Sequence, residues 1–189
     1  MSCDITNGRI EQCKDSVSGL KAIYFINYDD ISSDFGLTYD GTNTDLIVSW
    51  DPNAVINLYK YELKGANSFE TTINSSRDNG TTFFQQTLTI QLKRQDVATH
   101  KNVKLLAYGR PRIVVRTMTD QFFLMGLTQG ADVTAGTVSS GSALGDFNGY
   151  NLTFESMEVS PANFLDVTNE NDLAAAFGYD GDPAVIIAS

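Results

Sequence analysis

The chain has 189 residues, 42% hydrophobic and 19% charged. That is enough for one well-packed domain and too mixed for a disordered tail or a coiled coil. Its net charge of −10 argues against a protein that grips nucleic acid, which needs cations on phosphate.

The N-terminal segment, 1–18, reads as an arm. It has no basic stretch followed by an apolar one, so no secretory leader is expected. Cys3 and Cys13 form a C-x9-C pair. The spacing is too long for a redox C-x-x-C and lacks a second pair for zinc. Two reduced thiols are the favoured reading, with a local disulfide as the alternative.

The dominant period from there on is two. Gly19–Tyr28 is apolar on both faces, which predicts a doubly covered strand. Asp45–Trp50 is a short strand. Val55–Lys64 alternates, with Asn57, Tyr59, Tyr61 and Leu63 on one side. Phe69–Ser75 and Thr81–Lys93 flank Asn79-Gly80, a strong hairpin signal. On the second of these strands Phe84, Gln86, Leu88, Ile90 and Leu92 face one way, and the other face is nearly all Gln and Thr.

Asp96–Tyr108 is the one long helix expected. Asp96 is its N-cap, Gly109 follows its end and Pro111 lies beyond. Val97, Ala98, Val103, Leu105, Leu106 and Ala107 are read as its apolar side. Arg112–Met118 and Gln121–Leu127 form a hairpin across Thr119-Asp120. Thr128–Gly145 is rich in Gly, Ser, Thr and Ala, and fits either a surface loop or extended backbone against a neighbour. Asn151–Val159 is a further strand, Asp172–Phe177 a helical turn and Val185–Ala188 a small terminal strand. The expected fold is mainly β: a sandwich or barrel of eight to ten strands with long hairpins and one flanking helix. It divides into the arm, a β-rich domain over 19–165, and a tail over 166–189 packed on the domain or on a neighbour.

Charge is segregated along the chain. All 13 Lys and Arg lie before Thr117, and the last 73 residues hold ten acids and no base. Lys93–Arg116 is a basic island.

Enzyme chemistry finds little to stand on. His100, the only histidine, has no acid–base neighbour on its helix. No G-x-S-x-G, P-loop or H-E-x-x-H occurs. Asp40–Asp45 and Asp180–Asp182 bring oxygen ligands together, but neither matches a calcium loop, and both fit turns. Trp50 with Tyr24, Tyr28, Tyr39, Tyr59 and Tyr61 makes either core or a sugar-stacking platform. No cofactor and no metal is expected.

The element order from Phe69 to Leu165 resembles that of phage virion proteins, tail tube proteins above all. It runs long hairpin, helix DVATHKNVKLLAYG, hairpin RIVVRTMTDQFFLMGL, Gly/Thr stretch ADVTAGTVSSG, then strand GYNLTFESME. The resemblance implies a β-barrel or sandwich with a flanking helix that forms rings, commonly six-fold. The rings would stack into a tube whose acidic lumen lets DNA pass without specific binding. It implies no catalytic residue, a place in the virion after synthesis in the host cytoplasm, and contacts with itself and other virion proteins but no membrane. A capsid decoration protein, a head–tail connector and a carbohydrate-binding β-sandwich are the alternatives. Head-to-tail stacking would set Lys101, Lys104, Arg110 or Arg112 of one ring against Asp166, Glu170 or Asp172 of the next. These seven are the candidate inter-subunit residues.

Overall fold

A computed structural model of the chain describes residues 7–11, 13–31 and 36–188. Among them are twelve strands, two α-helices and a 3-10 turn, arranged as two packed sheets. The fold is mainly β, as the period-two pattern predicts.

The large sheet has eight strands. In spatial order they are β12 (Val185–Ile187), β4 (Asn57–Glu62), β1 (Leu20–Ile26), β7 (Arg112–Thr117), β8 (Phe122–Met125), β11 (Asn163–Leu165), β3 (Leu46–Trp50) and β2 (Leu37–Tyr39). The small sheet has four, in the order β5 (Ser68–Ser76), β6 (Thr81–Lys93), β10 (Gly149–Glu158) and β9 (Asp132–Ser139), all antiparallel.

The middle of the large sheet is buried on both faces. Ile23 and Phe25 of β1, with Ile113, Val115 and Met125, meet the inner face of the small sheet: Leu88, Ile90, Tyr150, Leu152 and Phe154. Ala22, Tyr24 and Ile26 point the other way. They join Val114, Leu124, Ile47 and Leu58 in a second core, closed by Leu173 and Phe177. These last two lie on or just after α2 (Glu170–Ala176), four residues apart and so on one helical face. A strand covered on both sides has no polar face to show, which is why β1 reads as a continuous apolar run.

Loop 126–131 carries the chain from one sheet to the other. Gln86 accepts from the Gly126 N–H, and Glu158 from the N–H groups of Thr128 and Gln129. Gly126 has φ +74°, and a Cβ there would lie 2.7 Å from the Gly130 carbonyl carbon, so no larger residue fits.

α1 (Val97–Tyr108) closes one flank of the sandwich. Asp96 caps it, accepting from the Thr99 N–H at 2.8 Å. Only Thr99, Val103 and Leu106 are half-buried, packed beside β9 and β4. Val97 and Leu105, expected on its apolar side, are exposed. Gly109 ends the helix in extended backbone, with its N–H on the Leu105 carbonyl.

Three further points are left open or unread by the sequence. Part of the stretch 128–145 is a full strand, β9, whose small side chains hide its alternation. β2 and β11 are three residues each, too short to show a period. The segment after residue 165 belongs to the domain's own core: α2 supplies Leu173, and β12 pairs with β4.

Candidate functional site

The long hairpin β5–β6 and its neighbours present one continuous polar surface. β6 is 13 residues, about 40 Å of strand. Its outward residues are Phe83, Gln85, Thr87, Thr89 and Gln91, as the alternation predicts. Register sets Asn151, Thr153, Glu155 and Met157 of β10 beside them. Thr72, Asn74 and Glu70 of β5 complete the face on one side, and Ala135, Thr137 and Asp132 of β9 on the other. Side-chain amides and hydroxyls bridge the strands: Asn74 to Gln85, Gln85 to Glu155 and Asn151 to Thr137.

One row across this face is acidic. Glu70 on β5 pairs with Thr87 on β6, Thr87 with Glu155 on β10, and Glu155 with Asp132 on β9. Like charges directly opposite one another destabilise a sheet. No ion pair of the described residues relieves them. The first cation on any of the four strands is Lys93, at the far end of β6.

Both edges of the small sheet are open. No backbone hydrogen bond among the described residues reaches the outer side of β5 or β9; beside β9 lie α1 and the Gln95 side chain, which donates to the Ser139 carbonyl. The edges are nine and eight residues long. Exposed edges of this length are templates for pairing with another chain.

The seven predicted contact residues scatter. Lys101 and Lys104 are exposed on α1. Arg110 is exposed, with its guanidinium 4.1 Å from the Tyr28 ring centre. Arg112 is a correction: it is 1% exposed. It donates to the carbonyls of Tyr28, Ile31 and Leu127 and stacks on Tyr28 and Trp50, so it is an internal clasp with nothing to offer a neighbour. Asp166 is exposed just past β11. Asp172 faces solvent and holds the start of α2, accepting from Thr168 and Asn169. Hydrogen bonds from Thr168 keep its carboxyl below the usual Asp range. Within the subunit no basic member of the set pairs with an acidic one, among the described residues.

Glu170 is the centre of a network that the sequence did not signal. It accepts from Lys60 at 2.8 Å, from the Tyr24 hydroxyl at 3.0 Å and from Arg116 at 3.2 Å. Partial burial pushes its carboxyl up, but the hydrogen bonds and the two cations outweigh that, leaving it below 4.5. Burial first, then Glu170, raises the Tyr24 hydroxyl well above its ordinary value. Arg116 and Lys21 share Asp120, which sits at φ +58° in the β7–β8 turn. The whole network ties α2 to β1, β4 and β7 and is satisfied internally, which marks it as structural.

The remaining candidates resolve simply. Trp50 and Tyr24 are fully buried in the α2 core, so neither can stack on a sugar. The Asp40 carboxylate is occupied by the N–H groups of Thr42 and Asn43, and Asp182 closes a bridge with Tyr179. The His100 ring lies on exposed α1, 6.1 Å from Tyr150. Cys13 is exposed, and its suggested partner Cys3 lies outside the described residues.

No family model, no curated protein and no solved structure matches the chain.

Proposed function

We propose that the protein is a self-assembling virion structural subunit, a phage tail tube protein, whose small sheet closes with its copies into a ring around a DNA-conducting channel. The observation that carries this is the open small sheet: two long unpaired edges joined by one polar, acidic face.

The edges suit each other. β9 and β6 both run against β10, so they share a direction, and β5 runs against β6. When subunits stand side by side with the same end up, β9 of one therefore meets β5 of the next in the antiparallel sense. Each new pair satisfies backbone groups that are otherwise left to water. A chain of such heterologous contacts closes into a ring when the rotation allows it.

The outer face suits a passage for DNA. It offers amides, hydroxyls and the Glu70–Glu155–Asp132 row, with no cation on the strands until Lys93. Along the strands phosphates meet carboxylates, which repel them, and cations stand only at the two ends, Arg77 in the β5–β6 turn and Lys93.

Electron microscopy and sedimentation of the purified protein test the proposal. Rings or tubes with a central channel support it. A protein that stays monomeric at high concentration, over a range of salt, overturns it.

A further inference from the structure

We propose that α1 of each subunit docks on the overhanging strands β11 and β3 of the next copy in the same ring, so that Lys101 and Lys104 act sideways within the ring and not between rings. This rests on the ring reading above and names a second contact that accompanies the β9–β5 pair.

α1 has two faces. Thr99, Val103 and Leu106 pack inward. Val97, Lys101, Lys104 and Tyr108 recur at i, i+4, i+7 and i+11, directly opposite. Val97 is 90% exposed and Tyr108 83%, beside exposed Leu105. A helix this short gains most of its stability from packing, so an outward stripe of three large apolar side chains is left uncovered in the lone subunit.

The opposite flank carries a matching surface. The large sheet is twice as wide as the small one. Phe69 of the edge strand β5 covers Phe123 of β8. Beyond that contact β11 and β3 overhang, and Phe164 and Val48 stay partly open to solvent among the described residues. Leu165 and Ile47 point into the α2 core, so Phe164, Asp166 and Val48 point to the overhanging side. Phe164 packs on Phe123 at 4.4 Å and is still 43% exposed. Asp45, at the start of β3, is exposed at its margin.

The two surfaces lie where ring closure brings them. α1 runs beside β9, on the flank that would receive the next copy's β5. The overhang lies just past β5. Pairing the two edges therefore slides α1 under the neighbour's overhang. Both surfaces are apolar at heart, and their charges are opposite: two lysines and no acid on the outward stripe of α1, against Asp166 on the overhanging side, with Asp45 at its margin just before β3 and no base on β11 or β3. That complementarity selects a second copy as the occupant.

A charge-swap experiment on the full chain decides this. Lys101→Glu with Lys104→Glu alters only exposed side chains, and circular dichroism and a urea midpoint confirm the fold. The expected result is a rise of at least about tenfold in the concentration needed to form rings, each tenfold step being about 1.4 kcal/mol. Asp45→Lys with Asp166→Lys should do the same, and the fourfold variant should recover ring formation. Intact rings that merely fail to stack would overturn the lateral contact and assign α1 to the ring–ring interface. Unchanged assembly, or loss without recovery in the fourfold variant, also overturns it while leaving the ring reading standing. Wild-type protein that never assembles removes both.

Discussion

The two sheets of this molecule are built to different specifications. The middle strands of the large sheet bury both faces and carry almost no polar side chain. The small sheet buries one face and shows water the other, with both edges unpaired. One chain has thus made a region complete in itself and a region that its own residues leave unfinished. A lone sheet edge is a hazard that soluble proteins blunt with prolines, bulges or inward charges. β5 and β9 contain no proline and no lysine, β5 is in unbroken register with β6, and β9 has a single irregularity, at Thr134. Their exposed backbone makes sense as a joint, and the long hairpin makes sense as the part that joins.

The largest expected effect breaks the comparison at its inner face. Phe154 is fully buried between the sheets and packs on Phe25 at 5.4 Å. Phe154→Ala should remove about 3–5 kcal/mol from the subunit. Met157, three residues on and exposed on the outer face, should change stability by about 0.5 kcal/mol or less when replaced by alanine. Urea denaturation of both variants reads the difference. Equal losses would mean that the outer face is also packed.

Proline at the edge sharpens the contrast between folding and joining. Thr137 and Val138 are neighbours on β9 in regular register with Asn151 and Tyr150 of β10, so one N–H points to β10 and the other outward. Of Thr137→Pro and Val138→Pro, one should destabilise the subunit by breaking a ladder bond. The other should leave the urea midpoint nearly unchanged and abolish ring formation. Size-exclusion and denaturation together separate the two. Normal assembly by both variants would show that β9 is not a joint.

Glu170 tests the finished region. Its carboxyl is held below its unfolded value by Lys60, Tyr24 and Arg116. A depressed carboxylate contributes stability that is present above the unfolded value and is lost as pH falls through the folded one. Stability should therefore decline as pH drops below about 5. Glu170→Gln should cost about 1–2 kcal/mol near neutral pH, less what solvent screens, and should flatten that decline. A variant with an unchanged acid limb would assign the decline to other carboxylates.

How far the sequence foretold this depends on side-chain size and strand length. The bounds of β6, the Asn79-Gly80 turn and the Asp96 cap were legible because each has a strong local signal. β1 was legible because a strand covered on both faces must be apolar throughout. β9 was not, because Ala135, Gly136 and Thr137 show no contrast between their two sides. The acidic row followed it into obscurity: Glu70 and Glu155 meet across Thr87 only through long-range pairing, and Asp132 joins them only once β9 is a strand. Arg112 misled because an arginine in a basic island looks like surface. Only the fold reveals three carbonyls turned toward it. The Glu170 network joins residues 54 to 146 positions apart, beyond any local pattern.

The smallest expected effect bears on that row. Glu155 lies directly opposite Asp132 with no cation near, and like charges so placed lower sheet stability by some tenths of a kcal/mol. Glu155→Gln keeps the shape, and the new amide can still meet Gln85. It should raise the stability of the lone subunit by about 0.2–0.5 kcal/mol at low salt. The gain should vanish as salt screens the pair, because the Debye length falls to about 3 Å at 1 M. In assembled rings the same change should let DNA linger, and Glu155→Lys more so, with retention that weakens as salt rises. Urea midpoints at low and high salt read the first effect, and fluorescence anisotropy with labelled duplex the second. A stabilising Gln without any change in DNA retention would mean that the row faces something other than the channel. A destabilising Gln would mean that Glu155 makes a contact worth more than its repulsion from Asp132.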